Sequence, residues 1–221
     1  MRRTAPTPLA ARPMGFLSDI HGNIEALEAV LAELDRRAVR TVYVAGDLLF
    51  GGESPLEVWR ALQKVGAQCT RGTSDNALVE VDPTSLRPTN AEEKARTDLF
   101  VRTRRQVGEL ILEQLRRLPE VLRVPLVDGG ELAMSHGSPG DSLVELSHDL
   151  DDNEMLALVG DDPADILVCG ATHVPFERRL DGVFVVNVGS VGAAPEGRIA
   201  HFTVVSPRMD GTQIEQCWVE Y

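Results

Sequence analysis

Cysteine is scarce in the 221-residue chain, and positive charge is outnumbered. The three cysteines (Cys69, Cys169, Cys217) stand far apart, without a CxxC pair. That argues against a disulfide framework and suits buried free thiols in a reducing compartment, so a cytoplasmic location is expected. Lys and Arg total 22 against 34 Asp and Glu, a net charge of −12. A protein that grips nucleic-acid backbones wants a basic footprint, so long nucleic acids are not expected as partners. No apolar run approaches the roughly 18–20 residues of a membrane span. Stretches such as Val183 to Ala194 are too short and are cut by glycines. Arg2, Arg3 and Arg12 have no apolar segment behind them, which excludes a secretory signal. Residues 1–13 therefore read as a flexible extension ahead of one domain over 14–221. No internal repeat or low-complexity tract is present.

What is there is globular: 43% hydrophobic and 25% charged residues,. Periodicity divides the first half into alternating strands and helices. Short apolar runs at Gly15–Ser18, Thr41–Ala45 and Ala67–Thr70 predict strands. Ile24, Leu27, Val30, Leu31 and Leu34 share one helical face. Ser54-Pro55-Leu56-Glu57 reads as a capping box opening a helix to Val65, stopped by Gly66. Pro83 and Pro88 mark a loop, and a long helix is predicted over Ala91–Leu118. The second half is strand-rich. It has hairpins turning at Asp128-Gly129-Gly130 and Asp181-Gly182, a short helix near Asn153–Val159 and a strand at Ile166–Cys169. Two final strands cover Ala200–Val205 and Gln213–Val219. Two packed sheets with helices outside are expected.

Five distant segments share one grammar, in which a strand ends and a ligand-type residue appears beside glycine. They are Asp19-Ile20-His21-Gly22, Gly46-Asp47, Gly72-Thr73-Ser74-Asp75, His136-Gly137 and Gly170-Ala171-Thr172-His173. In open α/β sheets the working crevice lies at the carboxyl ends of the strands, so these groups can converge. A mixed set of aspartates and histidines suits Mn, Fe or Zn rather than calcium.

These residues resemble the calcineurin-like metallophosphoesterases, and most closely their compact bacterial and archaeal phosphodiesterase branch, over roughly Met14 to Val205. Ser135-His136-Gly137-Ser138-Pro139 and Asn187-Val188-Gly189-Ser190-Val191-Gly192 are similar to family sequences too. The resemblance implies a four-layer αββα sandwich of two mixed sheets with a two-metal site. There a metal-bound hydroxide attacks phosphorus in line.

Carried over by position, it implies one ion held by Asp19, His21, Asp47 and His173. A second would share Asp47 and use His136, but the family's Asn and first His are replaced by Thr73 and Ala171. The general-acid histidine of some branches is replaced by Ser74. A tight site for one transition-metal ion and a weak second site are therefore expected, with Asp47 at the centre of catalysis. Two functional readings stay open. One is a phosphoesterase for small phosphodiesters or nucleotides. The other is a catalytically degenerate relative that binds a phosphorylated ligand and regulates.

Secondary expectations attach to other residues. Asn23 reads as a helix N-cap or a phosphate contact. Arg71 reads as a phosphate contact. Arg96, Arg102, Arg104 and Arg105 sit on the long helix, from which one or two would lid the crevice. His148 lies in an acidic segment and reads as exposed.

Overall fold

The computed structural model describes residues 9–161 and 164–221. Residues 1–8 of the expected extension lie outside the described residues. Of its remainder, Ala10 is tied down: its amide donates to the Pro125 carbonyl (2.8 Å) and its carbonyl accepts from Val127 N (3.0 Å).

Ten strands and five α-helices follow in chain order. They are β1 (Met14–Leu17), α1 (Ile24–Arg36), β2 (Thr41–Ala45), α2 (Pro55–Val65), β3 (Gln68–Thr70), α3 (Thr73–Glu80), α4 (Ala91–Arg116), β4 (Val121–Pro125) and β5 (Glu131–Ser135). Then come α5 (Asp152–Val159), β6 (Ile166–Cys169), β7 (Phe176–Leu180), β8 (Val183–Asn187), β9 (Ile199–Ser206) and β10 (Gln213–Glu220). The strands form two mixed five-stranded sheets, ordered β10-β9-β1-β2-β3 and β4-β5-β6-β8-β7. The sets β1-β2-β3 and β5-β6-β8 pair in parallel, with β3 at the edge of its sheet.

Strand alternation builds the layers. In β1, Met14 and Phe16 point between the sheets while Leu17 packs under the helices. In β2, Tyr43 and Ala45 face the partner sheet while Val42 and Val44 face the helices. In β6, Ile166 and Val168 face inward, and Leu167 and Cys169 meet α5 on the far side. A period of two thus gives every central strand two buried faces, as the outer helices require. Gly15 occupies the helix-facing slot beneath Leu34; a Cβ there would lie 2.8 Å from Leu34 Cδ1. The result is the αββα sandwich that the pattern predicts.

Three local features depart from expectation. Ser54 makes no side-chain cap, although Pro55 opens α2 and Gly66 closes it in the left-handed region (φ 65°). Residues 73–80 form the helix α3 where a ligand loop is expected from the sequence. It is only eight residues long, too short to show helical periodicity,. The long helix α4 is interrupted at Gly108 (φ 72°, ψ 169°), where only glycine turns the chain cheaply,.

Candidate metal centre

The six parallel strands run their carboxyl ends to one rim. Asp19 follows β1, Asp47 follows β2, Asp75 follows β3, His136 follows β5 and His173 follows β6. Immediately after each strand the chain must turn sharply to present a side chain into the crevice. Asp19 (φ 54°), His21 (49°), Asp47 (55°), Ala171 (70°) and His173 (61°) all adopt the left-handed conformation. Non-glycine residues held in this region cost on the order of 1–3 kcal/mol each, and such strain collects at functional sites. Hydrogen bonds between the loops hold it. Asp19 N donates to the Gly46 carbonyl (3.1 Å), His21 N to the Asp47 carbonyl (3.0 Å), and Gly192 N to the Asp19 carbonyl (2.9 Å).

Two glycines let the loops come this close. A Cβ on Gly72 would collide with Asp47 Oδ1, and one on Gly170 would collide with Ser18 Oγ and lie 2.7 Å from Asp19 Oδ2.

The five expected ligands meet in two overlapping groups. Asp19, His21 and His173 form one, and Asp19, Asp47 and His136 form the other, with ligand atoms within 4.8 Å of one another in each. His21 Nε2 lies 3.1 Å from His173 Nε2. Asp19 Oδ1 lies 3.5 Å from the first and 3.2 Å from the second. Asp47 spans the groups: its Oδ2 is 3.8 Å from His21 Nε2 and its Oδ1 is 3.5 Å from His136 Nε2. Asp19 is thus common to both groups, beside the Asp47 bridge that the sequence suggests.

The surrounding polar groups orient these ligands. His21 Nδ1 sits 2.8 Å from the Phe50 carbonyl, and His136 Nδ1 sits 2.7 Å from the Ala45 carbonyl. Each carbonyl takes the Nδ1 proton and leaves Nε2 free to ligate, the usual arrangement behind a metal-binding histidine. Asp19 Oδ2 accepts from Ala171 N (3.0 Å), whereas the fully buried Oδ1 has no hydrogen-bond partner among the described residues. A buried carboxylate oxygen left open among imidazole nitrogens is the vacancy a cation fills. The donor set of carboxylates and imidazoles fits Mn, Fe or Zn.

Electrostatics agree. Burial alone would raise the Asp19 carboxyl, but the close His173 and His21 imidazoles win and hold it far below the usual carboxylate range. Burial would depress His21, yet Asp19 and Asp47 push it up to about 9. His136 is raised likewise, Asp47 and Asp19 outweighing its desolvation. The site is strongly negative and recruits positive charge.

Asp75 is a structural member that sequence reasoning listed without a role. Fully buried, it accepts from Leu48 N (3.0 Å) and Gly72 N (3.1 Å), tying the Asp47 loop to the start of α3. Burial and the neighbouring Asp47 charge push it up to about 6. Its signal was the acidic residue at the third position of a short helix. Ser18, Ser190 and Asn187 brace the same loops, through Ser18 Oγ to the Ala45 carbonyl (2.9 Å), Ser190 Oγ to the Asp19 carbonyl (2.9 Å) and Asn187 Nδ2 to the Gly170 carbonyl (2.6 Å).

The other expected residues divide. Thr73 lies exposed on the first turn of α3, lining a cleft with His21 and Asp47. Asn23 is the cap of α1, its Oδ1 accepting from Ala26 N (3.1 Å) and its Nδ2 donating to the Gly192 carbonyl and to Tyr221 Oη. With its amide engaged on both sides, Asn23 takes the capping role, worth about 1 kcal/mol, and not the phosphate contact. Arg71 is turned away to the end of α4, donating to the Arg116 carbonyl (3.3 Å) and to Glu120 (3.2 Å). The structure thus places the Arg71 guanidinium on an exposed carboxylate and not among the candidate metal ligands. His148 is half-exposed beside Asp149 (3.4 Å), outside both ligand groups.

Comparison with known proteins agrees with this geometry. Residues 13–209 match the calcineurin-like phosphoesterase superfamily domain. An uncharacterized protein of Methanocaldococcus jannaschii is 24% identical over 180 residues, 80% of this chain and 69% of that one. A hypothetical protein from Pyrococcus horikoshii OT3 superposes with a TM-score of 0.79 at 23% identity, covering 95% of this chain and 88% of its own. A metallophosphoesterase from Sphaerobacter thermophilus superposes with a TM-score of 0.74 at 24% identity, covering 96% and 89%.

Proposed function

The chain belongs to the calcineurin-like phosphoesterase superfamily, and from that premise we propose that it is a divalent-metal-dependent hydrolase of small phosphodiesters or nucleotides, with one complete cation site and a weak second one. The observation that carries this reading is the orphaned Asp19 Oδ1 lying among His21, His173 and the Asp47 loop. Asp19, His21, Asp47 and His173 would hold the first ion, and Asp47 with His136 would hold the second. Such ions, when bound, acidify water and neutralise phosphoryl oxygens. The protein's own part is to present these ligands rigidly and to seat the phosphoryl group in the cleft beside them. Asp47 is central because its two oxygens face the two histidine groups.

Ala171 and Thr73 support the weak second site. Alanine has no donor, and its amide is already spent on Asp19 Oδ2. A threonine hydroxyl is a poor cation ligand beside an amide carbonyl. The same two positions favour the second reading, a catalytically degenerate protein that binds a phosphorylated ligand and regulates. The net charge of −12 favours small substrates over long nucleic acids, and three buried free thiols support a cytoplasmic setting. Among the described residues no helix is long and apolar enough to cross a membrane.

Hydrolysis of bis(4-nitrophenyl) phosphate with and without added manganese tests the reading. Turnover that chelation removes, and that Asp47→Asn lowers at least about 100-fold, is expected. Metal binding without turnover of any ester would favour the regulatory reading.

A further inference from the structure

Next to the ligand cleft lies a second chamber that the metal centre does not use. The cleft, about 340 Å³, carries His21, Asp47, Thr73 and Ser74 on one side and Arg96 and Leu99 of α4 on the other. The chamber, about 310 Å³, is walled by Ala77, Val81, Leu86, Pro88 and Phe100. Phe50, Ala77 and Arg96 line both, so the two spaces adjoin at these three side chains.

The chamber wall is apolar, and the polar groups at its rim are engaged elsewhere. Glu93 Oε2 accepts from Thr89 N (2.7 Å), and its Oε1 accepts from Asn90 Nδ2 (2.9 Å). Arg87 donates to the carbonyls of Thr84 (2.6 Å) and Leu86 (2.9 Å). Phe50 and Phe100 meet edge to face at 5.7 Å, presenting aromatic surface at the junction.

Arg96 stands at that junction. Its guanidinium lies 6.0 Å from the centre of the Phe50 ring, and it makes no hydrogen bond or ion pair among the described residues. Its neighbours on α4 are committed: Arg102 pairs with Glu53 (2.8 Å), and Arg104 caps the carbonyls of Leu78 and Val81. A lone cation is thus kept at the seam between a carboxylate-rich metal cleft and an apolar chamber, in a chain of net charge −12.

We propose that this chamber receives an aromatic ring on the substrate, with Arg96 holding a phosphoryl oxygen at the seam. The substrate class is then an aryl-substituted phosphoester, recognised by ring burial with no directional reading of polar edges. The inference rests on the phosphoesterase reading above. It also gives Arg96 a purpose: a fixed positive charge lining the same cleft as Thr73, where the proposed second cation would be held weakly,. In this proposal Arg96 takes the place of the lid residue expected on the long helix, while Arg102 and Arg104 fasten that helix to Glu53 and to the carbonyls of Leu78 and Val81.

Calorimetric titration of the manganese-loaded protein with phenylphosphonate and methylphosphonate separates the two claims. Both ligands carry the same anionic head, and only one carries a ring. Burying the ring should make phenylphosphonate bind roughly tenfold tighter or more. Val81→Phe, or independently Leu86→Trp, fills the chamber from outside the cleft and should erase that preference while leaving methylphosphonate binding in place. Arg96→Gln should weaken both ligands by a similar factor, about fivefold, and preserve their ratio. Equal affinity of the parent protein for the two phosphonates overturns the chamber and leaves the phosphoesterase reading standing. Failure of both to bind overturns that reading, and the chamber with it.

Discussion

The Nε2 atoms of His21 and His173 lie 3.1 Å apart, with Asp19 Oδ1 within 3.5 Å of each. Two imidazole lone pairs cannot face each other so closely without a proton or a cation to share. The carboxylates of Asp19 and Asp47 push His21 up to about 9 although burial opposes its charging, so in the metal-free protein a proton takes this place.

A metal ion must therefore displace that proton, and its affinity depends on pH. Below about 9 His21 is protonated, so apparent affinity should rise about tenfold per pH unit and level off as pH passes 9,. Competition with a chelator of known proton dependence measures it. The sign for the metal-free fold is opposite. A folded-state value raised from 6.5 contributes stability in full below 6.5 and loses it as pH climbs to 9,. Melting temperature of the apo protein should fall across that window, and that of the loaded protein should not follow it.

Gly170 is predicted to be indispensable for metal binding. In Gly170→Ala the added Cβ meets Ser18 Oγ and comes within 2.7 Å of Asp19 Oδ2. Asp19 must shift, so affinity for the first ion should drop at least about tenfold, because ligand geometry tolerates only ~0.2 Å. Gly140→Ala, where a Cβ meets only Ser138 Oγ at 3.9 Å, is the control outside the site. Equal affinities in the two variants would contradict the argument.

Leaving groups give a third test. The family resemblance implies that Ser74 takes the place of a proton-donating histidine found in some branches. Its backbone amide is spent on Asp47 Oδ1 (2.8 Å), and its buried hydroxyl has no partner among the described residues. A general acid contributes typically ~100- to 10,000-fold, so rates should depend steeply on leaving-group pKa. Nitrophenyl diesters should far outpace alkyl diesters of similar size. Comparable rates would reveal a proton donor other than Ser74.

Most of the fold and the ligand set were legible in the sequence, for physical reasons that differ. Met14, Phe16, Tyr43 and Val168 alternate with helix-facing neighbours, so sheet layers could be read from a period of two. Asp19, His21, Asp47, His136 and His173 each follow a strand and have glycine nearby, so their convergence followed from topology. Arg71 was misleading because its neighbour Gly72 faces the site, while the arginine itself finds Glu120 on the outside. The helix α3 escaped notice because eight residues span barely two turns. The carbonyls of Phe50 and Ala45 that orient the histidines left no trace, since every residue has one.

Restoration tests the proposal that Thr73 and Ala171 weaken the second site. Thr73→Asn with Ala171→His adds a carbonyl oxygen and an imidazole beside Asp47 and His136. Ala171 already holds φ 70°, in the same region as His21 and His173, so the backbone accepts a ligand there. Each single change leaves the site one donor short, so the double variant should gain more than the sum of the two, in metal content and in manganese-dependent turnover. Additive or absent gains would show that these two positions are not what limits the site.

Metal content is the most direct test of the central claim. Elemental analysis of the purified chain after loading with manganese and exhaustive dialysis should return close to one ion per chain, and close to none in Asp19→Ala. Two ions per chain surviving dialysis would contradict the weak second site. No retained ion, or retention undiminished in Asp19→Ala, would contradict the assignment of the centre itself.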